Sequence, residues 1–113
     1  MIKIDTNVEE GHYELIVGGE VDASSSIYLD NAISEALSAH KKVVVDFTGL
    51  EYISSAGLGV FMSYIQQMES EGIQLAIFGL QEKVFQVFEI LGLDQLITIV
   101  STKEEALKVV NDA

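Results

Sequence analysis

Two adjacent serines, Ser54 and Ser55, occupy the position in this chain that best suits chemistry. An apolar β-branched run at residues 43–45 precedes them by a turn, and glycines at positions 57 and 59 open an amphipathic helix just after them. Free backbone N–H groups and the helix dipole favour negative charge at a helix start. No acid or base partner for the serines is evident. The pattern therefore favours a serine that receives a phosphate over a serine that attacks a substrate.

Enzymatic and metal sites find little support in the sequence. Ile53 stands where a Gly-x-Ser-x-Gly elbow needs its first glycine. A serine hydrolase also needs a base, and neither His12, in a predicted strand, nor His40, at a predicted helix end, has an evident partner. Two histidines without any cysteine argue against zinc. The Gly-Leu-Gly at residues 57–59 is neither a P-loop nor a dinucleotide fingerprint. We expect no enzymatic activity, no metal and no cofactor.

Asp46 is an alternative phosphate acceptor. An aspartate at the end of a buried parallel strand is typical of receiver domains, and Glu20 and Asp22 could supply carboxylates for magnesium. The opening hairpin and the lack of a Lys-Pro step after the last predicted strand argue against that hypothesis. We interpret Asp46 instead as a hydrogen-bond acceptor for the turn at Thr48 and Gly49.

The elements that must position these residues follow from hydrophobic periodicity. Strands are predicted over residues 2–8, 12–17, 43–47, 73–78 and 97–100. Helices are predicted from a cap at Ser24, Ser25 or Ser26 to His40, over residues 57–70, over residues 81–91, and from a capping box (Ser101 with Glu104, or Thr102 with Glu105) to Val110. Because strands and helices alternate after the opening hairpin, we expect an α/β fold with a mixed sheet of about five strands and about four helices.

The helical periodicity also predicts which side chains face the core. In the helix after the serines, the inward stripe is predicted to hold Leu58, Phe61, Met62, Ile65 and Met68. Val60, Ser63 and Tyr64 lie off that stripe, so Val60 and Tyr64 are predicted to be exposed. In the next helix the predicted inward residues are Val84, Val87, Phe88 and Leu91.

Composition limits the class of protein and its partners. With 113 residues, no proline and 49% hydrophobic residues, we expect residues 1–113 to form a single domain. Eighteen acidic and six basic residues give a net charge of −12, which disfavours nucleic acid and anionic membranes and is compatible with a basic protein partner. No signal peptide or membrane-spanning run is evident, and there is no cysteine. We therefore expect a cytoplasmic protein, monomeric when free.

Four motifs in order resemble the STAS domain family, in particular the small stand-alone anti-sigma factor antagonists of bacteria. They are Gly-Glu-Val-Asp at residues 19–22, Asp-Phe-Thr-Gly-Leu at 46–50, Ser-Ser-Ala-Gly-Leu-Gly at 54–59, and Val-Phe-Gln-Val-Phe-Glu-Ile-Leu-Gly-Leu at 84–93. Each motif is weak alone, but together they span nearly the whole chain at matching spacing.

The resemblance implies a partner switch. The unphosphorylated antagonist binds an anti-sigma factor that is also a serine kinase, and this binding frees a sigma factor. Phosphorylation of one serine disables the antagonist, and a PP2C-type phosphatase restores it. Alignment on the two glycines puts the phosphoacceptor at Ser55. Ser54 becomes a second candidate because it replaces the family's usual aspartate, while Ala56 replaces its second hydroxyl.

The partner surface is expected to gather around these serines. The loop that holds Asp22 and the serines at residues 24–26 and the loop that holds Ser55 both follow carboxyl ends of predicted parallel strands, which share one edge of the sheet. The expected partner-binding residues are Asp22, Ser24, Ser25, Ser54, Ser55, Ala56, Gly57, Gly59, Val60 and Tyr64. The alternative within the family is an interaction subunit of another signalling or transport complex, in which the serines act only as helix caps.

Overall fold

A computed structural model describes the backbone of residues 1–112 and the side chains of residues 1–111. Within that range the strands are β1 (Lys3–Glu9), β2 (His12–Val21), β3 (Lys42–Asp46), β4 (Leu50–Ile53), β5 (Gln74–Phe78) and β6 (Thr98–Val100). The helices are α1 (Ser26–Ala39), α2 (Ser55–Glu71), α3 (Glu82–Ile90) and α4 (Lys103–Asp112), with a short 3-10 helix at Leu93–Gln95.

The sheet has the order β1-β2-β3-β5-β6, and β4 pairs with β2 off this path. The β1–β2 hairpin is antiparallel, and the remaining pairs are parallel. The predicted mixed α/β fold with an opening hairpin and four helices is confirmed. The sheet has six strands where about five were predicted. The additional strand is β4, whose four residues lie between a turn and the serines and show too short a pattern for a strand prediction.

The ten residues of β2 organise the centre of the sheet. Residues 13–16 pair with β3, and residues 19–21 pair with β4 after a register shift at Gly19 and Glu20. The strand therefore continues beyond residue 17, where the sequence predicted its end, and passes through the glycines at 18 and 19. This extension lets the carboxyl end of β2 lie beside that of β4, immediately before the serines.

Helices cover both faces of the sheet. The main core joins the sheet to α1, α2 and α3, and a smaller core joins Val44, Ala76 and Phe78 to Ala106 and Val110 of α4. A cluster of three aromatic rings fills the main core, with ring centroids 5.8–6.2 Å apart: Phe47, Phe61 and Phe88. All three side chains are at most 1% exposed, and each such burial stabilises the fold by about 1.5–3 kcal/mol.

Helix ends follow the local sequence. Gly72 ends α2 in the left-handed conformation, with φ of 68°, as its position predicts. Of the two predicted capping arrangements for α4, Thr102 with Glu105 forms: the Glu105 N–H donates to the Thr102 Oγ1 at 3.2 Å, and that hydroxyl lies 3.1 Å from Glu105 Oε1. The start of α2 lies at Ser55, two residues before the predicted start.

The buried face of α2 is rotated relative to the predicted stripe. Val60 is only 9% exposed and belongs to the core, so the prediction that it is exposed is wrong. Tyr64 is half-buried, and Met62, predicted to face inward, is 51% exposed. The physical reason is α1, which packs beside α2 and covers its Val60 and Tyr64 side. Hydrophobic periodicity predicted helix α2 but not the packing of α1 against it.

Leu91 is the second inward prediction that is wrong, since its side chain is 48% exposed. Leu91 is the C-cap of α3, with φ of −87° and ψ of 1°, so it has left the helical phase that would have turned it inward. Gly92 follows in the left-handed region, with φ of 74°, and starts the 3-10 helix. Val84 and Phe88 are buried as predicted.

Both histidines lie at the amino end of the parallel strands. His12 is buried at the start of β2, and the His40 ring stacks on Tyr13 with centroids 4.4 Å apart. Among the described residues, no group of three His, Cys, Asp or Glu side chains is placed to hold a metal ion. None of the helices in the described range is both long enough and apolar enough to cross a membrane.

Candidate functional site

Two loops meet at the carboxyl ends of β2 and β4. Val21 and Ile53 are register partners in this parallel pair, and the Ser54 N–H donates to the Val21 carbonyl at 2.8 Å. Asp22 follows Val21 directly, and Ser54 follows Ile53 directly. The structure therefore brings together the Asp22 turn (residues 22–25) and the serine loop (residues 54–56), as the sequence predicted from their positions after parallel strands.

Within the serine loop, Ser54 is the N-cap of α2. Its backbone is extended, and its Oγ accepts a hydrogen bond from the Gly57 N–H at 3.3 Å, while its carbonyl accepts from the Leu58 N–H at 3.0 Å. Side chains of this type satisfy first-turn donors that have no partner within the helix. Ser54 is half-buried and already has a structural task.

Ser55 is the first residue of α2 and is exposed. Its hydroxyl makes no hydrogen bond to any residue that the structure describes. Of the four N–H groups of the first turn, those of Gly57 and Leu58 are bonded to Ser54, which leaves those of Ser55 and Ala56 free to face an anion. An accessible hydroxyl, free backbone donors and the positive end of the helix dipole coincide here.

The Asp22 turn is held by a compact set of hydrogen bonds. The Asp22 carboxylate accepts from the Ser25 N–H at 2.9 Å, from the Ser24 hydroxyl at 2.8 Å and from the Ser25 hydroxyl at 2.9 Å. The Asp22 N–H donates to the Ser25 Oγ at 2.9 Å. The bond from Ser24, followed by those from Ser25, lowers the pKa of Asp22 below its ordinary value of 3.8. The carboxylate is exposed, charged and fixed in place beside the serine loop.

The two glycines after the serines have different surroundings. A Cβ added at Gly57 would lie 2.7 Å from Ile53 Cγ1 and 2.9 Å from Val21 Cγ1, so this buried glycine allows α2 to pack on the ends of β2 and β4. A Cβ at Gly59 would have no heavy atom within 4 Å. Gly57 is therefore needed for the close packing of α2 on these strand ends, whereas Gly59 has open space around it.

Tyr64 ties α2 to α1. Its hydroxyl donates a short hydrogen bond to the Asp30 carboxylate and lies 3.4 Å from the Asp30 carbonyl oxygen. Burial, followed by the bond to Asp30, raises the pKa of Tyr64 above its ordinary value of 10.0. Through this contact Tyr64 fixes α1, which directly follows the Asp22 turn, relative to α2, whose first residue is Ser55.

Three apolar side chains that the sequence did not predict to belong to the site are exposed around these loops. Ile27 and Tyr28 lie in the first turn of α1, and Tyr28 lines a groove with Asp22, Ser24 and Ser25. Tyr52 projects from β4 into a second groove with Glu20 and Glu51. The sequence positions could have indicated this exposure. Ile27 and Tyr28 directly precede the buried Leu29 in α1, and Tyr52 lies between the buried end residues of β4, a strand that was not predicted.

Asp46 has a structural role. Its Oδ1 accepts from the Thr48 N–H at 2.8 Å and from the Thr48 hydroxyl at 2.5 Å, as predicted, although no bond to Gly49 is formed. Both bonds stabilise the turn between β3 and β4, and that turn determines where β4 starts.

With this geometry in place, the comparisons with known proteins identify the family. The STAS domain family model matches residues 3–106, so the chain belongs to the STAS domain family. The anti-sigma-B factor antagonist of Listeria monocytogenes is 32% identical to it over 96 residues, which cover 83% of each chain.

Solved structures share the fold. An anti-sigma factor antagonist from Mycobacterium paratuberculosis superposes with a TM-score of 0.90 at 20% identity, covering 99% of this chain and 96% of that one. SpoIIAA, a Bacillus cell fate determinant, has been solved in an unphosphorylated form (TM-score 0.78, 21% identity, 100% and 98% coverage) and in a phosphorylated form (0.69, 20%, 96% and 97%).

Proposed function

We propose that this protein is an anti-sigma factor antagonist controlled by phosphorylation of Ser55. The observation that carries the proposal is the division of labour between the two serines: Ser54 caps α2, while the Ser55 hydroxyl is exposed and free at the same helix start. The Listeria relative supports the class of protein. In this proposal the chain has no catalytic activity and acts by binding.

The partner is an anti-sigma factor with serine kinase activity, and a PP2C-type phosphatase reverses the modification. The unphosphorylated antagonist binds the anti-sigma factor through the serine loop and the Asp22 turn, and a sigma factor is released. The surface suits a protein partner, because exposed Ile27, Tyr28 and Tyr52 surround the two loops. The proposal places the switch in the cytoplasm, with the free antagonist a single-domain monomer.

Charge is the proposed means of inhibition. A phosphate on Ser55 adds about −1.5 to −2 charge units at a helix start, where free N–H groups tolerate it, so the fold of the antagonist need not change. The cost falls on the complex. There, a dianion beside the Asp22 carboxylate would have to be desolvated against a partner surface shaped for a hydroxyl.

Mass spectrometry after incubation with the cognate kinase and ATP tests the assignment. We expect one phosphate, on Ser55, in the wild type and in Ser54→Ala, and none in Ser55→Ala. Ser54→Ala is the matched control because it removes the neighbouring hydroxyl and the cap while leaving the Ser55 hydroxyl in place. Phosphate on Ser54, Thr48 or Asp46 with none on Ser55 would refute the proposal. Because phosphoserine is stable in acid and phosphoaspartate is not, acid treatment distinguishes those outcomes.

A further inference from the structure

Three large apolar side chains are exposed where the chain leaves α3. Ile90 is 82% exposed, Leu91 48% and Leu96 58%, all within seven consecutive residues. Single exposed apolar residues are normal on protein surfaces, whereas contiguous exposed apolar surface is typical of interaction sites. We call these three side chains the α3 exit surface.

A groove of about 250 Å³ continues the α3 exit surface. Leu96 forms part of its wall, and Ile65 and Met68 of α2 contribute further apolar surface to it. The combination of projecting apolar side chains and an adjacent apolar groove suits a partner that inserts apolar side chains of its own.

Acidic side chains outnumber basic ones around this surface, where Lys41 lies beside the groove but its ammonium is 3.9 Å from Glu71 Oε1. Glu69 lines the groove, Glu89 precedes Ile90, and Asp94 lies between Leu91 and Leu96. No lysine, arginine or histidine occurs between residues 43 and 82 or between residues 84 and 102. The net charge of −12 makes a second copy of this chain a poor occupant, whereas a partner with lysines or arginines around an apolar centre complements both the surface and its rim.

The α3 exit surface lies at the opposite end of the sheet from Ser55. Leu96 comes shortly before the start of β6, so it lies at the amino ends of the parallel strands, while the serine loop follows the carboxyl end of β4. A protein bound at one end therefore leaves the other end free.

We propose that the α3 exit surface is a second docking site, which takes an amphipathic helix with apolar side chains flanked by lysines or arginines. It would allow the antagonist to bind a second protein while the serine loop is occupied. The proposal stands independently of the function assigned to Ser55.

A synthetic helical peptide with a leucine face bordered by lysines is the probe, and a peptide with glutamate in place of every lysine is its control. Titration of the labelled wild-type protein is followed by amide chemical shifts. We expect the lysine peptide to shift the amides of residues 89–97 and of Ile65 and Met68, and the glutamate peptide to bind much more weakly. Shifts confined to the serine loop or the Asp22 turn, or equal affinity for both peptides, would overturn the proposal.

The double variant Ile90→Glu/Leu96→Glu separates apolar docking from general attraction to an acidic protein. It adds two negative charges, so non-specific attraction of the lysine peptide would strengthen, whereas loss of an apolar contact should weaken binding by about tenfold or more. Val8→Glu on β1 is the control, since Val8 is also exposed, and we expect affinity close to wild type. Equal or tighter binding by the double variant, or a wild-type dimer in sedimentation that the double variant disperses, would overturn the proposal.

Discussion

Ser54 and Ser55 are adjacent in the chain, but their hydroxyls lie in different environments. Ser54 satisfies the Gly57 N–H and is half-buried, whereas Ser55 is exposed at the first helical position. A kinase must reach its acceptor hydroxyl, and the fold can spare the Ser55 hydroxyl without losing a helix cap. The proposed function therefore assigns capping to Ser54 and modification to Ser55.

The two glycines of α2 provide a matched pair for a stability test. We expect Gly57→Ala to destabilise the fold by about 1–3 kcal/mol, because the new methyl would be forced against Ile53 and Val21. Gly59→Ala should stabilise it by about 0.5–1 kcal/mol, because the site is open and alanine favours a helix. Denaturant unfolding measures both. A Gly57→Ala variant as stable as Gly59→Ala would contradict the conclusion that α2 needs a glycine at position 57 to pack on β2 and β4.

Asp22 holds the turn before α1 and, in the proposed function, is also a partner-binding residue. We expect Asp22→Ala to lower the melting temperature modestly, by loosening the turn, and to weaken partner binding or slow phosphorylation more than it affects folding. The lowered pKa of Asp22 means that its stabilising contribution is present above pH 3.8 and is lost as the pH falls through the folded-state value. The difference in melting temperature between Asp22→Ala and the wild type should therefore become smaller in acid.

An exposed aspartate of β1 offers the control for this variant. Asp5→Ala removes the same charge from the chain at a site away from the two loops. We expect it to leave partner affinity near the wild-type value. A lowered melting point for Asp22→Ala with unchanged affinity and phosphorylation rate would assign Asp22 to the turn alone.

At the scale of the element, α1 and α2 act as a pair, and Tyr64 joins them. We expect Tyr64→Phe to destabilise the protein by about 1–3 kcal/mol, because the Asp30 carboxylate loses a hydrogen bond in a half-buried contact. The pKa of Tyr64 is raised in the folded protein. The protonated hydroxyl therefore contributes its full stabilising effect below pH 10.0, and this effect is lost as the pH rises through the folded-state pKa of Tyr64. Unfolding at pH 7 and above pH 10 measures the difference.

Tyr28→Phe is the comparison for that measurement. Tyr28 is also on α1 but is exposed, and its hydroxyl makes no hydrogen bond to the described residues. Its removal should change stability by less than about 0.5 kcal/mol. Similar losses for the two variants would mean that the bond between Tyr64 and Asp30 does not join the helices.

The sequence predicted the helices and strands better than it predicted which of them pack against each other. Long periodic segments, the opening hairpin and the glycine at 72 were sufficient for four helices and a mixed sheet. Strand β4 was missed because only its two end residues, Leu50 and Ile53, are buried, and four residues carry little periodicity. The exposure of Val60 and the burial of Met62 were mispredicted because the packing of α1 against α2 is a tertiary property.

The candidate site was predictable in its chain positions and not in its details. Parallel strands place the Asp22 turn and the serine loop at one edge, which the alternation of elements already implied. The pairing of β2 with β4 decides which loops are adjacent, and β4 was not foreseen. Whether Ser54 or Ser55 caps α2 depends on a one-residue difference in the helix start, which local sequence does not specify.

For the molecule as a whole, the fold places the exposed Ser55 hydroxyl at the end of a helix that is packed into the main core. The serine loop lies on the ends of two paired strands and on the first turn of a 17-residue helix that packs into the main core. The net charge of −12 favours a basic partner. At 0.1 M salt, screening limits the effect of each further negative charge at the interface to about 10 Å. Under the proposed function, a charge added at Ser55 weakens binding without refolding the protein.

Calorimetric titration of the anti-sigma factor with wild-type, Ser55→Ala and Ser55→Asp protein tests this account most directly. Alanine keeps the surface neutral, and aspartate imitates part of the phosphate charge. We expect Ser55→Ala to bind like the unphosphorylated wild type, and Ser55→Asp to bind at least about tenfold more weakly, a loss of about 1.4 kcal/mol. Equal affinities for the two variants would contradict the claim that charge at Ser55 is the switch.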